Sequence, residues 1–287
     1  MGLKKTRVIL SVILTLLIAL STAVVAFSLV ANATLASQSY IIKHFATDEM
    51  AEECEKQLSA KYAVLEQETG IPQRVFESYK NDISTKESIS LAVKNAFTTG
   101  DSALYSEERI DYFYSKCTEY LDAKGIEYDE ENVRLAADRG AKIFSDCVGV
   151  HNLSGLESAV AKYSRTLGGI CSVALVLLVA CVIMLAVLYQ NRHIMHSYLA
   201  AGLVGGGLSA VLTSALCLVK KVSLGLNYSP SVYQSSFAAM VNKYFVLVLV
   251  ASLAICVAGV VMQCFAFKNA DNKGKRKFGL DNILGKY

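Results

Sequence analysis

Tryptophan is absent from this sequence, proline occurs twice, and only 18% of its 287 residues are charged. A soluble domain averages ~25% charged residues. The shortage of charge, with 53% apolar residues and a mean hydropathy of +0.39, argues against an ordinary soluble enzyme. Eighteen glycines and two prolines exclude a collagen-like chain, and eight cysteines are too few for a disulfide-dense one. No C-x-x-C, H-E-x-x-H, G-x-S-x-G, P-loop, G-x-G-x-x-G or kinase signature occurs. No cofactor is therefore expected, no metal site, no catalytic residue and no enzymatic activity.

Four long apolar runs are present, at Val8–Val30 and at about 167–189, 198–219 and 244–267, none containing Asp, Glu, Lys or Arg. A helix of ~20 residues crosses a hydrocarbon core, so each run is long enough to span a membrane. The polar remainder is chiefly one block, 37–165, with 23 Asp and Glu against 15 Lys and Arg. Outside it stand 13 basic and 2 acidic residues. The net charge of +3 thus hides two oppositely charged regions.

Orientation follows from the tendency of Lys and Arg to stay in the cytoplasm. Lys4, Lys5 and Arg7 precede the first run, Arg192 lies between the second and third, and Lys268, Lys273, Lys275, Arg276 and Lys277 follow the fourth. Four spans place all of these on one side, the cytoplasm, and the acidic block outside. Lys220, Lys221 and Lys243 in the second outer loop count weakly against this. The expected organisation is a cytoplasmic N-terminus and first span over 1–36, and an extracytoplasmic domain over 37–165. Three further spans follow over 166–267, with an inner turn at 190–197 and an outer loop at 220–243, and then a basic cytoplasmic tail over 268–287. The first span is read as an uncleaved anchor, although Ala31-Asn32-Ala33 also offers an A-x-A cleavage site. The composition suggests a bacterial plasma membrane. In a eukaryote, Asn32, Asn152 and Asn227 would open glycosylation sequons.

The fold expected is all-α: four transmembrane helices and an acidic helical bundle inserted between the first two. Block 37–165 shows apolar stripes of helical period. Met50, Cys54, Leu58, Tyr62 and Leu65 form one, Ile110, Phe113, Cys117 and Leu121 a second, and Val133, Ala137, Gly140, Phe144 and Cys147 a third. Ser84 with Glu87, and Ser154 with Glu157, have capping-box spacing, and Thr47 precedes Asp48 and Glu49 at a helix start. Gly70, Gly100, Gly125 and Gly149 punctuate the pattern, giving five or six helices.

Gly202, Gly206 and Ala210 in the third run have small-xxx-small spacing, which lets helices pack closely in lipid. Cys117 and Cys147, on neighbouring stripes, are the best candidates for a disulfide; three free thiols with Cys54 is the alternative. His193 and His196 sit in the inner turn and read as interfacial polar residues. The carboxylates at 48–55 and 127–131 read as solvated helix ends, with cation binding as the minor alternative. Lys273, Lys275, Arg276 and Lys277, with the apolar Leu280, Ile283, Leu284 and Tyr287 beyond them, suit a topology signal or an element lying on anionic lipid. Spans without ionisable groups disfavour an ion-coupled carrier, and an acidic exposed domain disfavours nucleic-acid binding.

These features suggest a non-enzymatic membrane protein whose outer domain binds a partner or ligand and relays its state to the spans, as a sensor or adaptor. Membrane lipid, envelope proteins and a second copy of the chain are the expected partners; the ligand itself is not legible. The order of span, large outer domain and three further spans also resembles ABC permeases of the FtsX/MacB type. That resemblance is one of topology and implies a transport or mechanotransmission subunit.

Overall fold

The structure is a computed structural model that describes residues 2–99, 104–150, 153–189, 192–225 and 231–284. It is all-helical, 89% helix, with no strand among the described residues. The helices are α1 (Gly2–Ala33), α2 (Gln38–Phe45), α3 (Asp48–Thr69), α4 (Gln73–Phe76), α5 (Thr85–Thr99), α6 (Glu107–Lys124), α7 (Glu130–Val148), α8 (Leu153–Leu188), α9 (Arg192–Val219) and α10 (Gln234–Leu284). Single 3₁₀ turns cover Glu77–Asn81, Val222–Gly225 and Ser231–Tyr233. The chain divides into two compact units. One holds Met1–Ala33, Ser164–Val222 and Asn242–Tyr287, the other Thr34–Tyr163 and Ser223–Val241.

The first unit contains four helices long and apolar enough to cross a membrane: Lys5–Ala33, Gly168–Leu188, Arg192–Val219 and Gln234–Lys268. Their outward faces are apolar. Val176 is 70% exposed, Val187 78% and Val219 80%. A folded water-soluble unit does not present such faces along every helix, whereas lipid-facing helices must.

Glycine contacts fix the directions of three of these helices. A methyl group at Gly202 would lie 2.6 Å from Ile18 Cγ2, and one at Gly206 would lie 2.8 Å from Thr22 Cβ and overlap the Ala19 carbonyl. Four residues along α9 thus correspond to four along α1, and the two helices run parallel. Gly207 meets Cys256 and Ser252, whereas Gly259 meets Val204 and Ala200, so α10 runs antiparallel to α9. The Ser11 hydroxyl bonds the Tyr189 hydroxyl at 2.8 Å, which sets the end of α8 beside the start of α1. Leu14 and Ile18 of α1 pack there on Cys181 and Leu185 of α8, with Tyr198 and Leu199 of α9 against them. Lys5, Arg7, Arg192 and Lys268, all exposed, therefore belong to one end of this unit.

The connection between α8 and α9 is shorter than the sequence suggests. Helix resumes at Arg192, so His193 and His196 lie on the first turns of α9 rather than in a turn. The His196 ring nitrogen Nδ1 bonds the Arg192 carbonyl at 2.5 Å, and the Ser197 hydroxyl donates to the carbonyl of His193 at 3.1 Å. Within 220–243 the described residues include two 3₁₀ turns, Val222–Gly225 and Ser231–Tyr233, and the first turns of α10.

The second unit is held by an aromatic core. Tyr62, Phe76, Tyr79, Phe113 and Phe144 are buried. Tyr62 stacks on Phe76 at 5.5 Å, and Tyr79 meets Phe144 edge-on at 4.7 Å. Such ring pairs contribute ~0.5–1.5 kcal/mol beyond their burial. Gly140 permits this closeness, because a methyl group there would sit 2.8 Å from Phe76 Cδ1. All three apolar stripes read from the sequence are buried.

Caps delimit these helices. Thr47 Oγ1 accepts from the Met50 amide at 3.2 Å, Ser106 Oγ from Arg109 at 3.3 Å, and Asp129 Oδ1 from Glu131 at 3.2 Å. Ser84 and Glu87 form the full reciprocal box, at 3.1 and 3.2 Å. Gly70 and Gly125 end α3 and α6 at φ +72° and +64°, a conformation that costs other residues ~1 kcal/mol or more. The side chains of Ser154 and Glu157, and Gly100 itself, lie outside the described residues.

Candidate functional site

The residues singled out by sequence fall in both units. Gly202 and Gly206 face α1, Gly207 faces α10, and Ala210 is wholly buried on the same helix. This stripe is therefore the contact surface of α9 with two helices of its own chain. Backbone approaches this close exclude a side chain and gain dispersion and Cα–H···O contacts. Lys273, Lys275, Arg276 and Lys277 lie on the helical backbone of α10, but their side chains are outside what the structure describes.

Cys54, Cys117 and Cys147 are three free, buried thiols, so the pairing of Cys117 with Cys147 is not formed. The reason is local. Cys117 belongs to α6 and sits in an apolar setting where burial pushes its thiol up to about 12. Cys147 of α7 instead lies by Cys54, whose Sγ is 3.6 Å from the Cys147 carbonyl oxygen. Burial pushes the Cys54 thiol up to about 11 and raises that of Cys147. Thiols so disfavoured as thiolates are poor nucleophiles.

The carboxylates of the α3 start border a cleft of ≈470 Å³. Thr47, Glu49, Met50, Glu53 and Gln57 of the α3 region line one side, and Val232, Ser235 and Ser236 the other. The cleft thus joins segments ~180 positions apart in sequence, both within the second unit. Its chemistry is two carboxylates, hydroxyls and an amide around a small apolar floor, which suits a cationic group with an apolar stem. Among the described residues, no group of three or more His, Cys, Asp or Glu is placed to hold a metal ion.

Behind the cleft the segment is anchored by Tyr233, which sequence reading did not single out. Its side chain is fully buried. Its hydroxyl donates to the Val148 carbonyl at 3.0 Å, and its ring lies 5.4 Å from that of Phe45. The Cys54 thiol lies 3.6 Å from the Tyr233 oxygen. The legible signal was the cluster Val232-Tyr233 just before the polar start of a long apolar helix. Elsewhere the half-buried Arg109 guanidinium lies over the Phe144 ring at 4.6 Å, and burial lowers its pKa from the usual value. Surface ion pairs such as Arg139–Glu68 at 3.0 Å and Lys86–Asp48 at 2.7 Å are exposed and contribute ~0–1 kcal/mol each.

No family model, curated protein or solved structure matches this chain.

Proposed function

We propose that the protein is a non-enzymatic, multi-pass plasma-membrane sensor or adaptor of a bacterium. In this reading both termini are cytoplasmic and residues 37–165 form an extracytoplasmic domain. That domain binds a partner or ligand outside, at the acidic cleft beside α3, and relays its state to the membrane helices. Membrane lipid surrounds the spans, and anionic headgroups meet the basic end, including Lys273, Lys275, Arg276 and Lys277. An envelope protein or a second copy of the chain completes the list of partners.

The observation that carries this reading is the way the chain joins the two units. Helix α1 leads into the second unit, α8 leads back out, and α10 starts within it and continues through Gln234–Lys268 as one apolar helix. A folded domain joined to three spans is suited to moving them. The gathering of Lys5, Arg7, Arg192 and Lys268 at one end supports the orientation. The reading as a permease-type subunit gains nothing comparable, because α8 ends at Leu188 and α9 starts at Arg192, leaving no length for a coupling helix.

The test is short-range crosslinking in native membranes, mild-detergent purification of the tagged full chain, and mass spectrometry of what remains bound. The expected result is a crosslink from residues 37–165 to an envelope or secreted component. A stoichiometric ATPase crosslinked to the α8–α9 connection would overturn the sensor reading in favour of a transport subunit.

A further inference from the structure

The segment Ser223–Val241 is remote in sequence from the rest of its unit, yet it contributes Val232, Tyr233, Phe237, Ala238, Met240 and Val241 to buried structure. Tyr233 goes deepest. An apolar side chain would fill the same space, but tyrosine adds a directional bond to the Val148 carbonyl and an acceptor for the Cys54 thiol. A buried polar bond of this kind is all-or-none. When it breaks, the Val148 carbonyl loses its tyrosine donor in an apolar setting, while the Cys54 thiol keeps the Cys147 carbonyl 3.6 Å away, so release carries the cost of one unmatched buried carbonyl. One residue beyond, α10 begins and runs unbroken along the fourth apolar span. Val232, Ser235 and Ser236 are also one wall of the cleft whose other wall carries Glu49 and Glu53. Anything seated in the cleft therefore bears on this segment.

We propose that Tyr233 is a latch: it clips the start of α10 to the helical unit, and its release is the step by which a change in that unit reaches the fourth span. The proposal rests on the relay reading above. Its test needs no ligand, because Cys54 is a built-in reporter. The thiol is wholly buried, with the Tyr233 hydroxyl and the Cys147 carbonyl oxygen each 3.6 Å from its sulfur, so opening of the latch uncovers one side of it and adds to its alkylation rate. Cys117, equally buried on α6, serves as the internal control.

The full chain in lipid nanodiscs is treated with N-ethylmaleimide at pH 8, and the rate at each cysteine is read by peptide mass spectrometry. In Tyr233→Phe the ring still packs on Phe45 and only the hydroxyl is lost, so the unit stays folded. Cys54 is expected to react up to about tenfold faster than in the parent, as loss of one buried hydrogen bond implies, with Cys117 unchanged. Tyr233→Ala, which also removes the ring, is expected to raise the Cys54 rate further. If Cys54 and Cys117 accelerate together in Tyr233→Phe, Tyr233 is an ordinary core residue and the latch is refuted. An unchanged Cys54 rate in both variants refutes it equally. Failure of the relay reading would show separately, as labelling of residues 37–165 from the cytoplasmic side while the thiol rates still behave as a latch requires.

Discussion

Gly205 and Gly206 are adjacent on α9 and make opposite predictions. A methyl group at Gly206 would overlap the Ala19 carbonyl and lie 2.8 Å from Thr22 Cβ, so α1 must move away. A methyl group at Gly205 would rest 3.6 Å from Ala19 Cβ, an ordinary contact. Overpacking typically costs ~1–3 kcal/mol. Gly→Ala in a helix with room for the methyl group gains roughly 0.5–1 kcal/mol. The propensity gain is common to both, so Gly206→Ala and Gly205→Ala should differ by the overpacking cost of ~1–3 kcal/mol, at least about 2–4 °C in melting temperature for a domain of 150–250 residues. The assay is alkylation in detergent as temperature rises, with the buried Cys171 and Cys181 read individually by peptide mass spectrometry. Equal melting of the two variants would refute the close α1–α9 contact. It would also remove the evidence that the two helices run parallel.

Gly140→Ala should destabilise the second unit by ~1–3 kcal/mol in urea unfolding, since its methyl group would press on the Phe76 ring. Lys221 ends α9 at φ +49°, so Lys221→Gly should raise stability by ~0.5–1 kcal/mol, read as a higher melting temperature in detergent. The Ser84 amide and hydroxyl hold Glu87 below the ordinary glutamate pKa. A depressed folded pKa supports stability above the unfolded value of ~4.3 and loses that support as pH falls through the folded one. Urea titrations of Glu87→Gln should accordingly show a shallower loss of stability than the parent below about pH 5.

Much of the second unit was legible because its signals are local. The stripe Met50, Cys54, Leu58, Tyr62 and Leu65 is buried as its period requires, and Ser84 with Glu87 closes the box their spacing announces. What escaped depends on distance in sequence. Cys117 and Cys147 share a core, but periodicity gives a face and not a neighbour, and a disulfide needs Cα atoms within ~7 Å. His193 and His196 read as a turn because α9 begins at Arg192, before apolarity resumes near 198; its first turns are made of polar residues that hydropathy does not mark. Tyr233 escaped for the strongest reason. Its partners Phe45, Cys54 and Val148 lie far upstream, and nothing in the local pattern of 220–243 announces them.

Charge and helix direction bear independently on orientation. Charge alone says that basic residues flank several apolar runs, but they gather at one end only if the helices alternate in direction. Had α9 run antiparallel to α1, Arg7 and Arg192 would stand at opposite ends, and the bias would point nowhere. The contacts of Gly202 and Gly206 with Ile18 and Thr22 align the two starts, while Gly259 against Val204 and Ala200 brings the Lys268 end of α10 to the same level. Lys220, Lys221 and Lys243 remain toward the other end. Against them stand Lys5, Arg7, Arg192 and Lys268, together with the sequence positions Lys4, Lys273, Lys275, Arg276 and Lys277. Because basic residues within ~15–20 positions of span ends set orientation, and acidic ones contribute little, the larger group supports the proposed orientation. The acidic block would then lie outside because the basic end is retained, and its own charge would not be the cause.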